Sequence, residues 1–261
     1  MKLIKKIIQS SLNQLGKATG TQITLKVKPR LRINLHPDAV SDGRGMERYV
    51  DLTRKFCRFI PENVFEIGAN YGQDAEYLRK AFGLSSKDIY IFEPHPKIFD
   101  EVKNLYGFNC FDLAISNTDG EMIFNAINVS DNEYNNSGIS SLKKGLTTNA
   151  DNFTSVKVNV VRMDGFIKRN KIEAIDFLKI DVEGCNLEVL QGFGDELHKV
   201  KVIQTESENI TYWEDQKLFS DMFFLLNANG FELVDFVLTW DGVQSDSFWV
   251  RKDCLVRAGK K

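Results

Sequence analysis

The sequence predicts an α/β domain built on a mostly parallel sheet with helices on both faces and an antiparallel hairpin at its C-terminal end. Three observations carry that prediction. From residue 44 onward, strand-like and helix-like segments alternate, the pattern of parallel strands joined by helices. Residues 64–78, VFEIGANYGQDAEYL, run from a short apolar strand through a glycine turn into a helix. Near the end, FELVDFVLTW and DSFWVRK flank the dipeptide Asp241-Gly242, a hairpin signal.

The elements follow in order. RGMERYVDLTRKFCRFI has helical spacing and ends at Pro61; then come strand NVFEIG, a helix from Gln73 to about Phe82, strand DIYIFEP, helix KIFDEVKNLYG and a strand within NCFDLAIS. DGEMIFNAI reads as an extra strand. Residues 128–154 are polar and rich in Asn, Ser and Gly, so they form either a disordered segment or an active-site cover. The alternation resumes with strand SVKVNVV, a short helix near DGFIKRN, strand IDFLKID, helix NLEVLQG, strand KVIQTES and a helix that Gly230 ends.

Length and composition suit one main domain at 44–261 behind a basic extension at 1–43. With 261 residues, 43% of them hydrophobic, the chain can bury a sizeable core. The net charge of −2 argues against nucleic acid as a partner. Before Asp38 there are eight basic residues and no acidic one, which leaves 26 basic against 36 acidic residues in the remainder. Ile4, Ile8, Leu12 and Leu15 share one helical face, which reads as a helix packed on the domain or on a second subunit, or as a peripheral contact with an anionic membrane. The leader lacks the apolar run of about 7–15 residues of a secretion signal, and no segment approaches the ~20 apolar residues of a membrane span. Four scattered cysteines show neither a C-x-x-C pair nor a disulfide framework, so a reducing cytoplasm is expected.

The glycine turn poses a question of charge. A dinucleotide site needs G-x-G-x-x-G, whereas Gly68 and Gly72 stand four apart around Ala69, Asn70 and Tyr71. Glu66, just before the turn, would repel a pyrophosphate. S-adenosyl-L-methionine has no phosphate and carries a sulfonium and an ammonium. A strand-end carboxylate suits that cationic portion, and amides of the turn suit its carboxylate and ribose. Glu93, 25 residues after Gly68 at the end of the next strand, is placed to accept the ribose hydroxyls. A strand-end acid also serves a nicotinamide dinucleotide, and an oxidoreductase stays as one rival. A non-catalytic binding or scaffolding module tied to glycan assembly is the other.

At this point the chain resembles the FkbM-type S-adenosylmethionine-dependent methyltransferases. The resemblance covers about residues 62–207 and runs in order through FEIGANYG, IFEPHP, DLAISNTDGE, SGISSL, VVRMDGF and FLKIDVEGCNLEVLQG. It implies a class I methyltransferase fold with a seven-stranded, Rossmann-like sheet, and methylation of hydroxyl groups on sugars or related natural products. VVRMDGF departs from the family, which more often has Thr-Leu before the Asp, and the first 45 residues carry no transfer of function.

The candidate residues follow from these two lines. For the cofactor they are Glu66, Gly68, Ala69, Asn70, Tyr71, Gly72, Glu93, Pro94, Asp112, Ala114 and Asp181. An alcohol is a poor nucleophile at neutral pH, so a base is expected at the acceptor oxygen. Asp181 closes its strand and is the first choice, with capping of the next helix as its alternative; Glu206 and His95 complete the catalytic set. Glu183 and the serines Ser137, Ser140 and Ser141 of SGISSL form the expected substrate loop, the serines otherwise being surface loop. Asp181, Glu183, Glu206 and His95 are hard ligands that suit magnesium or calcium, but nothing in their spacing fixes a site, and no metal is assigned.

Overall fold

The computed structural model describes residues 26–27, 44–129, 136–147, 149–239 and 242–256. The leader face at residues 4–15 and Asp241 of the hairpin dipeptide lie outside the described residues. A two-residue strand β1 (Lys26–Val27) comes first, then a short 3-10 turn and helix α1 (Glu47–Phe56). Strand β2 (Val64–Ile67), helix α2 (Gln73–Phe82), strand β3 (Ile89–Phe92), helix α3 (Pro96–Val102) and strand β4 (Asn109–Phe111) make the first half of the main sheet. Strands β5 (Ala114–Ile115), β6 (Gly120–Ile127) and β7 (Phe153–Val161) form a separate three-stranded sheet in the order β5-β7-β6. Helix α4 (Met163–Asn170), strand β8 (Ile175–Ile180), helix α5 (Asn186–Gly192), strand β9 (Val200–Glu208), helix α6 (Phe219–Ala228) and strands β10 (Phe231–Leu238) and β11 (Gln244–Arg251) complete the chain.

The main sheet has the order β1-β10-β11-β9-β8-β2-β3-β4. Seven of these strands make the class I methyltransferase arrangement, and β1 adds a short eighth at the edge, parallel to β10. Strand β11 runs antiparallel between β9 and β10; the other central pairs are parallel. After β1, the main sheet is entered in the middle at β2, and the chain moves outward to β4 and then crosses to β8. The crevice for a ligand therefore opens above β2 and β8, where the strand order reverses.

The helix-joined strands read as expected because their burial is continuous: β2 and β8 are buried at every position, as parallel strands covered on both faces must be. Phe177 packs on one face with Tyr49, Leu78 and Phe248. Leu178 and Ile180 pack on the other with Phe166, Leu190 and Phe223. Helix α2 runs from Gln73 to Phe82 because glycines in left-handed conformation, Gly72 and Gly83, flank it.

Two expectations change. The segment NCFDLAIS is not one strand: Asn109–Phe111 pairs with β3, whereas Ala114–Ile115 pairs with β7. The exposed Asp112 marks the crossing between the sheets. Consequently SVKVNVV belongs to the small sheet rather than to the parallel alternation. Among the described residues, no helix is long and apolar enough to cross a membrane.

Gly68 fixes how β2 meets β8. Its φ is +79°, and a Cβ there would stand 2.1 Å from the backbone oxygen of Asp181. Both the left-handed backbone and the main-chain approach exclude a side chain. Gly68→Ala should lower unfolding free energy by at least about 2 kcal/mol, measured by urea denaturation. A loss under about 0.5 kcal/mol would show that the two strand ends separate without cost.

Candidate functional site

The carboxyl ends of β2, β3, β8 and β9 open into a cavity of about 1320 Å³, larger than the ~300–1,000 Å³ common for small-ligand sites. It has room for a cofactor and an acceptor together. One end is bounded by the glycine turn, Glu93, Pro94 and the Leu113–Ile115 segment; the other reaches α1 and the β10–β11 hairpin.

Glu93 is buried at 6% exposure and is held by two backbone donors. The Asn70 N–H reaches Oε2 at 2.7 Å and the His95 N–H reaches Oε1 at 2.8 Å. Burial pushes its carboxyl up to about 7, the two donors opposing that rise and Asp112 adding to it. Each oxygen keeps a second acceptor position, so the carboxylate can still take a pair of hydroxyls.

The turn itself works differently from the expectation. The N–H groups of Gly68 and Ala69 both donate to the Phe92 carbonyl, that of Asn70 to Glu93, and that of Gly72 to Ala69. These amides bind the protein, and the turn presents side chains instead. Gly68, Ala69 and Asn70 line the cavity; Tyr71 and Gly72 stand outside its lining.

Glu66 has a partner within the protein. It is 1% exposed, Oε1 lies 3.0 Å from Lys179 Nζ, and Oε2 accepts from the Ala75 N–H at 3.0 Å. Lys179 also reaches Asp74 at 3.2 Å and Asp181 at 3.1 Å. Burial alone would lower the Lys179 pKa, but Asp181, Glu66 and Asp74 outweigh it and hold the ammonium well above its usual range. Asp181 keeps 39% of its side chain exposed, at the cavity wall.

Glu183 and Glu206 line the same cavity, as does Ala114; Asp112 and His95 do not. His95 caps α3. Its Nδ1 accepts from the Ile98 N–H at 3.4 Å, and its Nε2 stands 2.9 Å from the Ile127 carbonyl. Burial lowers its pKa and keeps the ring neutral. Capping thus replaces the catalytic role expected of it, because both nitrogens are engaged behind the wall.

The SGISSL stretch is a packed cover. Asn70 Nδ2 lies 3.0 Å from Ser137 Oγ, and Ser140 Oγ accepts from the Ile127 N–H at 3.0 Å. Ser141 Oγ donates to the Glu183 carbonyl at 2.6 Å. All three serines line the cavity. A second segment, which the sequence did not single out, docks on this cover: Gly145 pairs with Trp213, and Leu146 N–H donates to the Tyr212 carbonyl. Trp213 in turn requires Gly184, where a Cβ would stand 2.6 Å from the indole.

Glu208 is the other residue missed. It is 3% exposed, accepts from the Gly184 N–H at 3.2 Å, and is pushed by burial up to about 7. Cys185, also in the lining, is pushed by burial up to about 12, so its thiol stays protonated and is no nucleophile at neutral pH. Among the described residues, no group of three or more His, Cys, Asp or Glu side chains is arranged to hold a metal ion.

The family model of the methyltransferase FkbM domain matches residues 66–233. A 2-O-methyltransferase, NoeI, of Sinorhizobium fredii is 26% identical over 182 residues, covering 66% of this chain and 72% of that protein. Among solved structures, a methyltransferase FkbM from Methylobacillus flagellatus is similar at 13% identity and a TM-score of 0.48, over 74% of this chain; the chain spans only 44% of that one. An O-methyltransferase from Bacillus cereus, in complex with S-adenosylhomocysteine, is similar at 17% identity and a TM-score of 0.46, over 94% of this chain and 90% of its own.

The buried Glu208 makes a pH prediction. Its folded-state pKa lies above its ordinary value, so as pH rises the unfolded chain releases this proton first and stability falls. Glu208→Gln has no proton to lose there. Its melting temperature should match the wild type near pH 5 and exceed it at pH 8, by a gap worth up to about 3 kcal/mol. A pH-independent gap would mean that Glu208 is ionised throughout.

Proposed function

The chain belongs to the methyltransferase FkbM family, and from that premise we propose that it transfers the methyl group of S-adenosyl-L-methionine to a hydroxyl of a sugar, a glycan or a related hydroxylated small molecule. The observation that carries this reading is the pair of carboxylates at the ends of β3 and β8, the two strands that flank β2. Glu93 is fixed by two backbone donors beside the glycine turn, and Asp181 reaches the wall of the same cavity. The naming of NoeI as a 2-O-methyltransferase supports oxygen as the acceptor atom. The nicotinamide reading is not favoured, since the family is one of methyltransferases.

The residues fit the cofactor. Glu93 would hold the ribose, Asn70 and Pro94 the sides of that position, and Leu113, Ala114 and Ile115 the flat apolar base. When bound, S-adenosylmethionine supplies an electrophilic methyl group for an in-line displacement. The protein's own part is to bring the hydroxyl to within about 3 Å of that carbon and to receive its proton. Asp181 is the assigned base, with Glu206 beside it on β9; Glu183 and the serine cover shape the acceptor position and exclude water. The free thiols fit a cytoplasmic setting.

Two variants and one assay test this. Glu93→Ala should weaken S-adenosylmethionine binding at least tenfold by calorimetry, about 1.4 kcal/mol or more. Asp181→Asn should bind the cofactor within a few-fold of wild type and lose turnover by at least about a hundredfold; unchanged turnover removes Asp181 as the base. Labelled cofactor, incubated with fractionated cell glycans and small-molecule pools, should mark a hydroxylated acceptor. Cofactor binding without label transfer to any pool would favour the non-catalytic reading.

A further inference from the structure

Lys179 sits mid-strand in β8 with 4% of its side chain exposed. Strand register places Glu66 of β2 and Gln204 of β9 directly beside it, on the face that carries Phe177. Its single ammonium lies 3.0 Å from Glu66 and 3.1 Å from Asp181, with Asp74 at 3.2 Å. All four residues line the cavity next to the glycine turn. Even with Asp74 set aside, the buried Glu66 shares the ammonium, the cation paired with it among the described residues, with Asp181, whose own side chain is 39% exposed. A buried carboxylate whose cation is shared in this way holds a proton or draws positive charge from outside.

We propose that Lys179 is a positioning residue for cofactor capture: it holds Glu66 and Asp181 together at the cavity wall with negative charge in excess, and an arriving cationic ligand completes the balance as a proton leaves Glu66. This rests on the reading that the cavity takes S-adenosylmethionine, whose sulfonium and ammonium outnumber its one carboxylate. The demethylated product has lost the sulfonium charge and makes a weaker demand.

The groups that face Glu66 set the direction. Lys179 and Asp181 come from β8, Asp74 and the Ala75 N–H from α2. Tyr106, after α3, is held neutral by burial, with Glu76 and Glu66 adding to the rise of its pKa. Burial pushes Glu66 up to about 7, Lys179 opposing that rise while Asp74 and Asp181 add to it. A further cation favours the ionised form, so binding near neutral pH releases a proton. Removing Lys179 has the opposite effect on the empty site, and Glu66 then keeps its proton to higher pH.

Titration calorimetry with S-adenosylmethionine, in two buffers of different ionisation enthalpy between pH 6 and 9, tests this without any acceptor. Wild-type affinity should rise from pH 6 to about pH 8 and then level, with proton release on binding near pH 7. In Lys179→Met the rise should move up by about one pH unit or more. That variant should bind about tenfold more weakly than wild type at pH 7 and within about threefold of it at pH 9. Glu66→Gln should bind with a shallower pH dependence and a smaller proton release than wild type, what remains coming from the other raised carboxyls of the wall, Glu93 and Glu208. Lys179→Met with Glu66→Gln removes both charges of the pair, so it preserves folding where the single variant does not, and its proton release should be reduced to the same extent. Proton release as large as that of wild type in either Glu66→Gln background overturns the proposal. So does wild-type binding without proton exchange, or a Lys179→Met defect of the same size at every pH. A wild-type protein that binds no S-adenosylmethionine overturns the functional reading as well, whereas binding without proton linkage overturns this inference alone.

Discussion

The site depends on how closely the ends of β2 and β8 approach each other. Asp181 donates its N–H to the Ile67 carbonyl at 3.0 Å, and its own carbonyl occupies the space a side chain on Gly68 would need. That contact sets the register in which Glu66 stands opposite Lys179. It also puts the glycine turn and the DVEG turn side by side, so the residues proposed for a cofactor and those proposed for an acceptor share one wall. A shift of one residue would carry Lys179 to the face of Leu178 and Ile180, which packs on α4, α5 and α6. An unpaired ammonium in that layer would cost several kcal/mol, so the ion cluster and the strand register enforce one another.

The opposite wall comes from parts of the chain that are distant in sequence. SGISSL leaves the small sheet, where Asn125 and Ser141 exchange backbone hydrogen bonds, and lies across the glycine turn through Ser137 and the DVEG turn through Ser141. Helix α5 and the segment after β9 lock it from the other side: Lys143 reaches Glu188 at 2.7 Å and the Asp215 carbonyl at 3.0 Å, and Trp213 fills the space above Gly184. Three stretches that are polar or irregular in sequence thus become a cover because each supplies the hydrogen-bond partners the others lack.

These two walls differ in how far the sequence reveals them. The first was largely legible: a strand, a glycine turn and a helix bounded by Gly72 and Gly83 are local signals, and so is the acid at the end of DIYIFEP. The amides of the turn were misjudged because nothing local shows that the Phe92 carbonyl accepts two of them. His95 was ambiguous for a similar reason. A histidine ahead of Pro96 can cap a helix or face a ligand, and only the nearby Ile127 carbonyl settles which. Lys179 did carry a readable sign, since a lysine inside the apolar run IDFLKI demands buried carboxylates, but naming them required the strand order. Trp213 and Glu208 had no local sign at all, and the crossing at Asp112 is invisible until the second sheet exists to receive Ala114 and Ile115.

The acid before the glycine turn then has a different physical meaning from a simple ligand contact. Glu66 faces an internal cation first, and a group of this kind is a poor way to stabilise a fold: apolar residues of the same volume in place of a buried ion pair commonly do as well or better. Its neighbours show that stability was otherwise favoured, because β2 and β8 are buried along their whole length and packed with phenylalanine, isoleucine and leucine. Apart from Asp176 at the start of β8, which pairs with Lys201, the charges of these two strands lie on the face and the strand ends that border the cavity. Glu66, Glu93 and Glu208 are each raised to about 7 by burial, which leaves three cavity-wall carboxyls close to the point where a small change in surroundings decides their charge. A pyrophosphate would drive them toward protonation, whereas a cation draws them into the ionised form, an asymmetry in keeping with a methyltransferase family more than with a dinucleotide site.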